Sequence, residues 1–291
     1  MVGTLTLDVE DWEHANFSQL RGKEGQIASR QHSLRYSMDA NVDRWIQVLD
    51  QARAKSTCFV LGEFAERYPA AVKKLSDAGH EIASHGATHD LIYEMNRSQF
   101  DEFLKKGIKT LEDLTGKKVI GFRAPSWSVN RRTSWFCESL AAQGVRYDSS
   151  IFPLKTPLYG ESDSPLYPYW EGQIFRVPVT MLALGPLRVP FASGAFFRLA
   201  PLGLIRFGLW WSSRRGQPRM LVLHPRELDP AHPRLPLKGW ERAVHYAKLE
   251  TTLPKLECLL KKGNWVSISE AYRSELDTPR EALENNKIRL K

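Results

Sequence analysis

The chain is poor in cysteine: three in 291 residues, far apart at Cys58, Cys137 and Cys258. An odd, scattered set excludes a disulfide framework as the main source of stability. Cys58 in an apolar run and Cys137 in a helical one suit reduced, buried thiols. No apolar run reaches the ~18 residues of a membrane span. No basic-then-apolar leader precedes the first strand, so the sequence predicts a cytoplasmic protein. Internal repeats and low-complexity linkers are missing too, which favours one domain. What the chain has in excess is positive charge, +8 net. Its basic residues are scattered apart from Arg214-Arg215 and Lys261-Lys262, so a basic solvated surface is expected rather than a nucleic-acid partner. The composition sets no oligomeric state.

The first strand spans residues 1–8 and ends in the acidic cluster Asp8-Val9-Glu10-Asp11. A polar stretch from about His14 to Ser37 reads as a loop over the site. Val42, Trp45, Ile46 and Leu49 form the apolar stripe of a helix over 41–52. Strands follow at 56–61 and 81–83, separated by a helix from Pro69 to Gly79. Ser98-x-x-Asp101 resembles a capping box that opens a helix ending near Gly116. Strands at 119–123 and 145–148 flank a helix at 133–143. This strand–helix–glycine–strand rhythm predicts parallel strands with crossover helices. It breaks over 149–216, dense in proline, glycine and aromatics, with strand pieces at 174–179 and 181–184 and an apolar helix over 196–211. It resumes with a strand at 220–224, a helical region over 239–262 interrupted at Pro254, and a last strand at 265–268. Residues 275–291 read as a polar tail.

Several strand ends carry the same kinds of residue. They are Asp8 with Glu10 and Asp11, His85 with His89, Arg123, Asp148, and His224. Taken singly, such residues are commonly caps or turn formers. Together they lie where α/β sheets and barrels carry their chemistry. In Ser84-His85-Gly86-Ala87-Thr88-His89, two imidazoles four residues apart can converge on one cation.

Thr6-Leu7-Asp8-Val9-Glu10-Asp11, Ser84 to His89, Arg123-Ala124-Pro125-Ser126-Trp127, Tyr147-Asp148-Ser149-Ser150 and Leu223-His224-Pro225 resemble, in order, the five motifs of the polysaccharide deacetylase family. This is the NodB-homology fold of carbohydrate esterase family 4. Asp8 to Trp12, Ser193 to Leu199, and His245-Tyr246 with Leu249-Glu250 resemble the subgroup found with exosortase-linked exopolysaccharide genes. The likeness covers about residues 3 to 272. Two places depart from the subgroup: Arg226 stands where Trp usually follows His-Pro, and Ser193-Gly194-Ala195 replaces a glycine-richer loop.

The resemblance implies a distorted (β/α) barrel over 1–274 with a β-rich insertion at about 149–216. It implies metal-dependent removal of acetyl groups from N-acetylhexosamine units during exopolysaccharide or surface glycan synthesis. Alternatives on the same fold are allantoinase-like hydrolysis of another C–N amide and non-catalytic glycan binding. His85 and His89 would hold a divalent ion, with zinc ahead of iron, cobalt or manganese. Either Glu10, which period two returns to the face of Asp8, or Asp11 would supply the third ligand. By the same analogy Asp8 is the base, Arg123 orients it, His224 is the acid, and Asp148 holds the His224 tautomer. Pro125, Ser126 and Trp127 would wall the sugar pocket. The apolar 196–215 segment suits peripheral contact with the inner membrane, useful for a lipid-linked saccharide.

Overall fold

The computed structural model describes residues 2–14, 17, 38–157 and 159–278. Apart from His14 and Phe17, the polar 14–37 stretch lies outside the described residues, as does the tail from 279. Strand β1 (Val2–Val9) is buried from its second residue onward, because both of its edges and both faces are covered. It pairs in parallel with β2 (Thr57–Val60) on one edge and β10 (Met220–Leu223) on the other. β11 (Asn264–Val266) takes the start of the β2 edge. β3 (Glu81–Ser84), β4 (Gly121–Phe122), β5 (Tyr147–Asp148), β7 (Ile174–Arg176) and the antiparallel β6 (Tyr169–Glu171) follow outward from β2. The path β10-β1-β2-β3-β4-β5-β7-β6 is that of a curled, partly open barrel. The 149–216 stretch thus adds β6 and β7 to the main sheet. It also forms the β8–β9 hairpin (Met181–Leu184, Leu187–Pro190) and two helices, α6 (Gly194–Leu199) and α7 (Leu202–Arg214).

Successive residues of each strand face opposite sides, and the apolar ones sort accordingly. Leu5, Leu7, Val9, Cys58, Val60, Ile82, Phe122, Leu221 and Leu223 join the core under the outer helices. Phe59, Ala83, Tyr147, Phe175, Met220 and Val222 form a second core on the concave side. The outer layer includes α1 (Asp39–Gln51), α2 (Gly62–Arg67), α3 (Pro69–Asp77), α4 (Arg97–Thr115) and α5 (Phe136–Ala142).

Two local expectations shift. The capping box of α4 is Asn96 with Gln99, not Ser98 with Asp101: Gln99 N–H donates to Asn96 Oδ1 at 3.0 Å and Asn96 N–H to Gln99 Oε1 at 2.9 Å. The 239–262 region breaks at Lys248, whose φ is 53°, and not at Pro254. Helix α8 (Gly239–Tyr246) ends before that residue. Pro254 lies in the first turn of α9 (Thr252–Leu260), where a missing N–H costs nothing.

Gly86, between the paired histidines, has φ 97°, and a Cβ there would meet Phe103 Cζ at 2.0 Å. Gly116, also left-handed at φ 68°, has nothing within 4 Å. Gly86→Ala is expected to lose about 1–3 kcal/mol from overpacking on top of about 1–2 kcal/mol of backbone strain. Gly116→Ala should lose the strain alone. Urea unfolding of the two variants checks this, and equal losses would contradict it.

Candidate active site

The alternation of β1 puts Asp8 and Glu10 on the concave face and Asp11 on the outer one. The same parity brings His85 (with Ala83), Arg123 (opposite Phe122) and His224 (with Val222) to the concave side, all just past strand ends. The structure gathers these residues with His89 around one point. Glu10 Oε2 lies 2.8 Å from His89 Nε2 and 3.9 Å from His85 Nε2. Ligand atoms of Glu10, His85 and His89 all fall within 4.8 Å of one another. His85 Nδ1–H donates to the Arg123 carbonyl at 2.7 Å, so its Nε2 lone pair faces the cluster. Fixing a ligand imidazole through its other nitrogen is a usual device of metal sites. Burial pushes the His85 ring down to about 4, which keeps it neutral. Burial alone would raise the Glu10 carboxyl, but His89, His224 and His85 outweigh it and hold it far below its ordinary value. Two neutral-capable imidazoles and one ionised carboxylate fit a divalent ion.

Asp8 Oδ1 accepts from Arg123 Nη1 at 2.6 Å. Arg123 is fully buried; it also donates to Thr6 and Ser149, and its guanidinium lies 4.1 Å from the Phe59 ring centroid. His224 Nε2 stands 4.0 Å from Asp8 Oδ2 and 3.7 Å from Glu10 Oε1, while His89 is on the other oxygen of Glu10. Burial would lower the His224 ring, but Glu10 and Glu227 together raise it, favouring the protonated form.

Asp148 does not hold His224. Parity sends it to the outer face, opposite its neighbour Tyr147, where its strand register sets it against Arg176. Arg176 Nε lies 2.8 Å from Asp148 Oδ2, Ser150 Oγ bonds Oδ1, and the guanidinium packs on Phe136 at 5.4 Å. The place expected for Asp148 belongs to Glu227. Its Oε2 accepts the Nδ1–H of His224 at 3.1 Å and the His224 backbone N–H at 3.0 Å. Arg198 Nε sits 2.8 Å from its Oε1. The signal for Glu227 was its spacing, third after His224 in a proline-started turn, the capping position. Arg198 and His224 outweigh burial and hold the Glu227 carboxyl down at about 2.

Asp11 is likewise turned away. It accepts from Arg67 at 2.8 Å and Tyr68 at 2.9 Å, so Glu10 is the carboxylate among the imidazoles. Pro125 is buried where it starts a tight turn and does not reach the cavity, whereas Ser126 and Trp127 do. Both of the latter have left-handed backbones, φ 51° and 47°, which is costly outside glycine and common at functional sites. Trp127 Nε1 is buried with no hydrogen-bond partner among the described residues. His14, which sequence reasoning passed over, stacks on His89 with centroids 5.5 Å apart and donates to Glu63 at 3.2 Å. The cavity these groups line holds about 400 Å³, and Phe196, Trp240 and His245 line it too.

Removing the cation from the Asp148 pair leaves a buried carboxylate alone. Arg176→Met should therefore lower the unfolding free energy by about 3–5 kcal/mol. A loss under about 1 kcal/mol in urea titration, the size of a surface pair, would show that the pair is not structural.

Residues 35–147 match the family described as Polysaccharide deacetylase, and residues 149–273 one described as Domain of unknown function (DUF3473). Asp8 and Glu10 precede both stretches. A peptidoglycan deacetylase of Helicobacter pylori is 29% identical over 116 residues, 40% of this chain and 39% of that protein. A peptidoglycan-N-acetylglucosamine deacetylase of Bacillus cereus is 39% identical over 113 residues, 35% of this chain and 41% of that one. The chain thus spans about two fifths of the length of these curated relatives. Among solved structures, one from Mycobacterium smegmatis, assigned to the polysaccharide deacetylases, superposes with a TM-score of 0.62 at 22% identity. It covers 95% of this chain and 92% of its own, a likeness of fold.

Proposed function

Since the chain carries a polysaccharide deacetylase domain, we propose that it hydrolyses the acetamide of an N-acetylated saccharide with a divalent ion held by Glu10, His85 and His89. Zinc suits two nitrogens and one carboxylate best, with iron, cobalt or manganese as substitutes. Such an ion, when bound, acidifies water and polarises a carbonyl. The observation that carries the reading is the convergence of Glu10, His85 and His89 with Asp8 and His224 beside them.

The remaining roles follow from placement. Asp8, oriented by Arg123, takes the proton of the attacking water. His224 Nε2, beside Asp8 and Glu10, gives a proton to the departing amine nitrogen as the C–N bond breaks. Ser126 and Trp127 shape the sugar wall.

Purified protein is expected to release acetate from N-acetylhexosamine oligomers and to stop when a chelator strips the ion. His224→Asn should lower kcat by about 10²–10⁴-fold while metal content stays at wild-type level. Turnover of small soluble amides in place of sugars would point to an allantoinase-like role. Sugar affinity without turnover, with metal bound, would leave only a binding protein.

A role in building a surface or exported polysaccharide would place the substrate at the membrane. No helix among the described residues is long and apolar enough to cross one. The exposed Phe207 and Trp210 of α7, with Arg214 stacked on Trp210 at 5.3 Å, form an amphipathic edge. The exposed Leu184 and Leu187 lie on the hairpin that Trp211 ties to α7 through the Ala183 carbonyl. This composition suits interfacial docking on anionic lipid. The wild type should co-sediment with phosphatidylglycerol vesicles and Phe207→Ser/Trp210→Ser should not; equal pelleting would remove the membrane from the picture.

A further inference from the structure

The cavity has a second polar wall that the hydrolytic roles leave unused. Arg226 lies in the turn after β10, lines the cavity and is only 8% exposed. Its Nε and Nη1 are buried and meet no acceptor, and it makes no ion pair among the described residues. The adjacent Glu227 is already shared between Arg198 and His224.

Arg198, still more buried, shows how this fold satisfies a structural arginine. Besides Glu227 it donates to the carbonyls of Val244, His245 and Ala247 at the end of α8. Arg226 has no such set. Beside it His245, 1% exposed, lines the same cavity with its Nε2 unpartnered. Burial and the Arg226 charge push that ring well below its ordinary value, so it is neutral, with one N–H to offer.

A buried guanidinium without a counter-charge is among the most costly groups a fold can hold, and an incoming anion relieves that cost. Planar N–H donors in a fork match a carboxylate or a phosphate in particular. We propose that Arg226, with His245 beside it, forms an oxyanion subsite for a carboxylate or phosphate carried by the saccharide whose acetamide faces Glu10, His85 and His89. The saccharide in that statement rests on the deacetylase reading; the anion subsite rests on the cavity alone.

The metal-loaded protein can be titrated with glucose, glucuronate and glucose 1-phosphate, following the fluorescence of Trp127 and Trp240, and the series repeated with Arg226→Met and Arg226→Gln. The wild type is expected to bind at least one of the acids about tenfold or more tighter than glucose, the worth of one charge-assisted contact. Preference for glucuronate assigns a carboxylate, and preference for glucose 1-phosphate a phosphate. Both variants should lose the preference and unfold no earlier than the wild type, since a stranded charge has been removed. Equal binding of all three sugars by the wild type, a preference that survives both variants, or failure of both to fold would overturn the subsite. A protein that releases no acetate yet keeps an Arg226-dependent preference would sink the deacetylase reading and leave the subsite standing.

Discussion

The site depends on one buried cation. Arg123 has no exposed surface, and every face of it is occupied. Asp8 and Thr6 of β1 take Nη1, Ser149 takes Nη2 and Nε, and Phe59 of β2 lies under the guanidinium plane. Its own carbonyl takes the Nδ1–H of His85. A charge so enclosed is stable only while all of its partners stay in place. The residue that orients the proposed base with its side chain therefore also sets the tautomer of a proposed metal ligand with its carbonyl. Residues in or just past β1, β2, β3 and β5 all meet Arg123, through its side chain or its carbonyl.

Around this anchor, acids of the same type acquire different tasks through the side of the sheet on which they fall. Asp8 and Glu10 reach the concave face, one against a guanidinium and the other among imidazoles. Asp11 and Asp148 stand one residue out of phase and become structural, each with its own arginine, Arg67 and Arg176. A one-residue change of phase separates the acids of the candidate site from those that pack against arginines.

Much of this was legible in the sequence because strand parity is a rigid rule. The apolar alternation of Leu5, Leu7 and Val9 already assigns Asp8 and Glu10 to the other face, and the strand-end histidines and arginine follow in the same way. Asp148 departs from the motif expectation because parity, with Tyr147 beside it on the concave face, turns it outward to Arg176. Glu227 was missed because its partnership is local capping within a three-residue turn, which no periodicity shows. The α8–α9 break was misplaced because proline is a visible breaker, whereas Lys248 adopts a left-handed conformation under tertiary constraint. Strands of two residues, β4 and β5, leave almost no pattern of their own.

The position of β1 carries a consequence for how the molecule comes into being. The segment nearest the amino terminus lies in the middle of the sheet, and Thr6 bonds to the Leu221 carbonyl 215 residues downstream. On the ribosome, β1 must wait for β10, more than 200 residues downstream, before its second edge is covered. Asp8 and Glu10 ride on that waiting strand. A chain cut short before β10 still carries Asp8, Glu10, His85 and His89, but it lacks His224, and the strand that bears both acids has one edge uncovered.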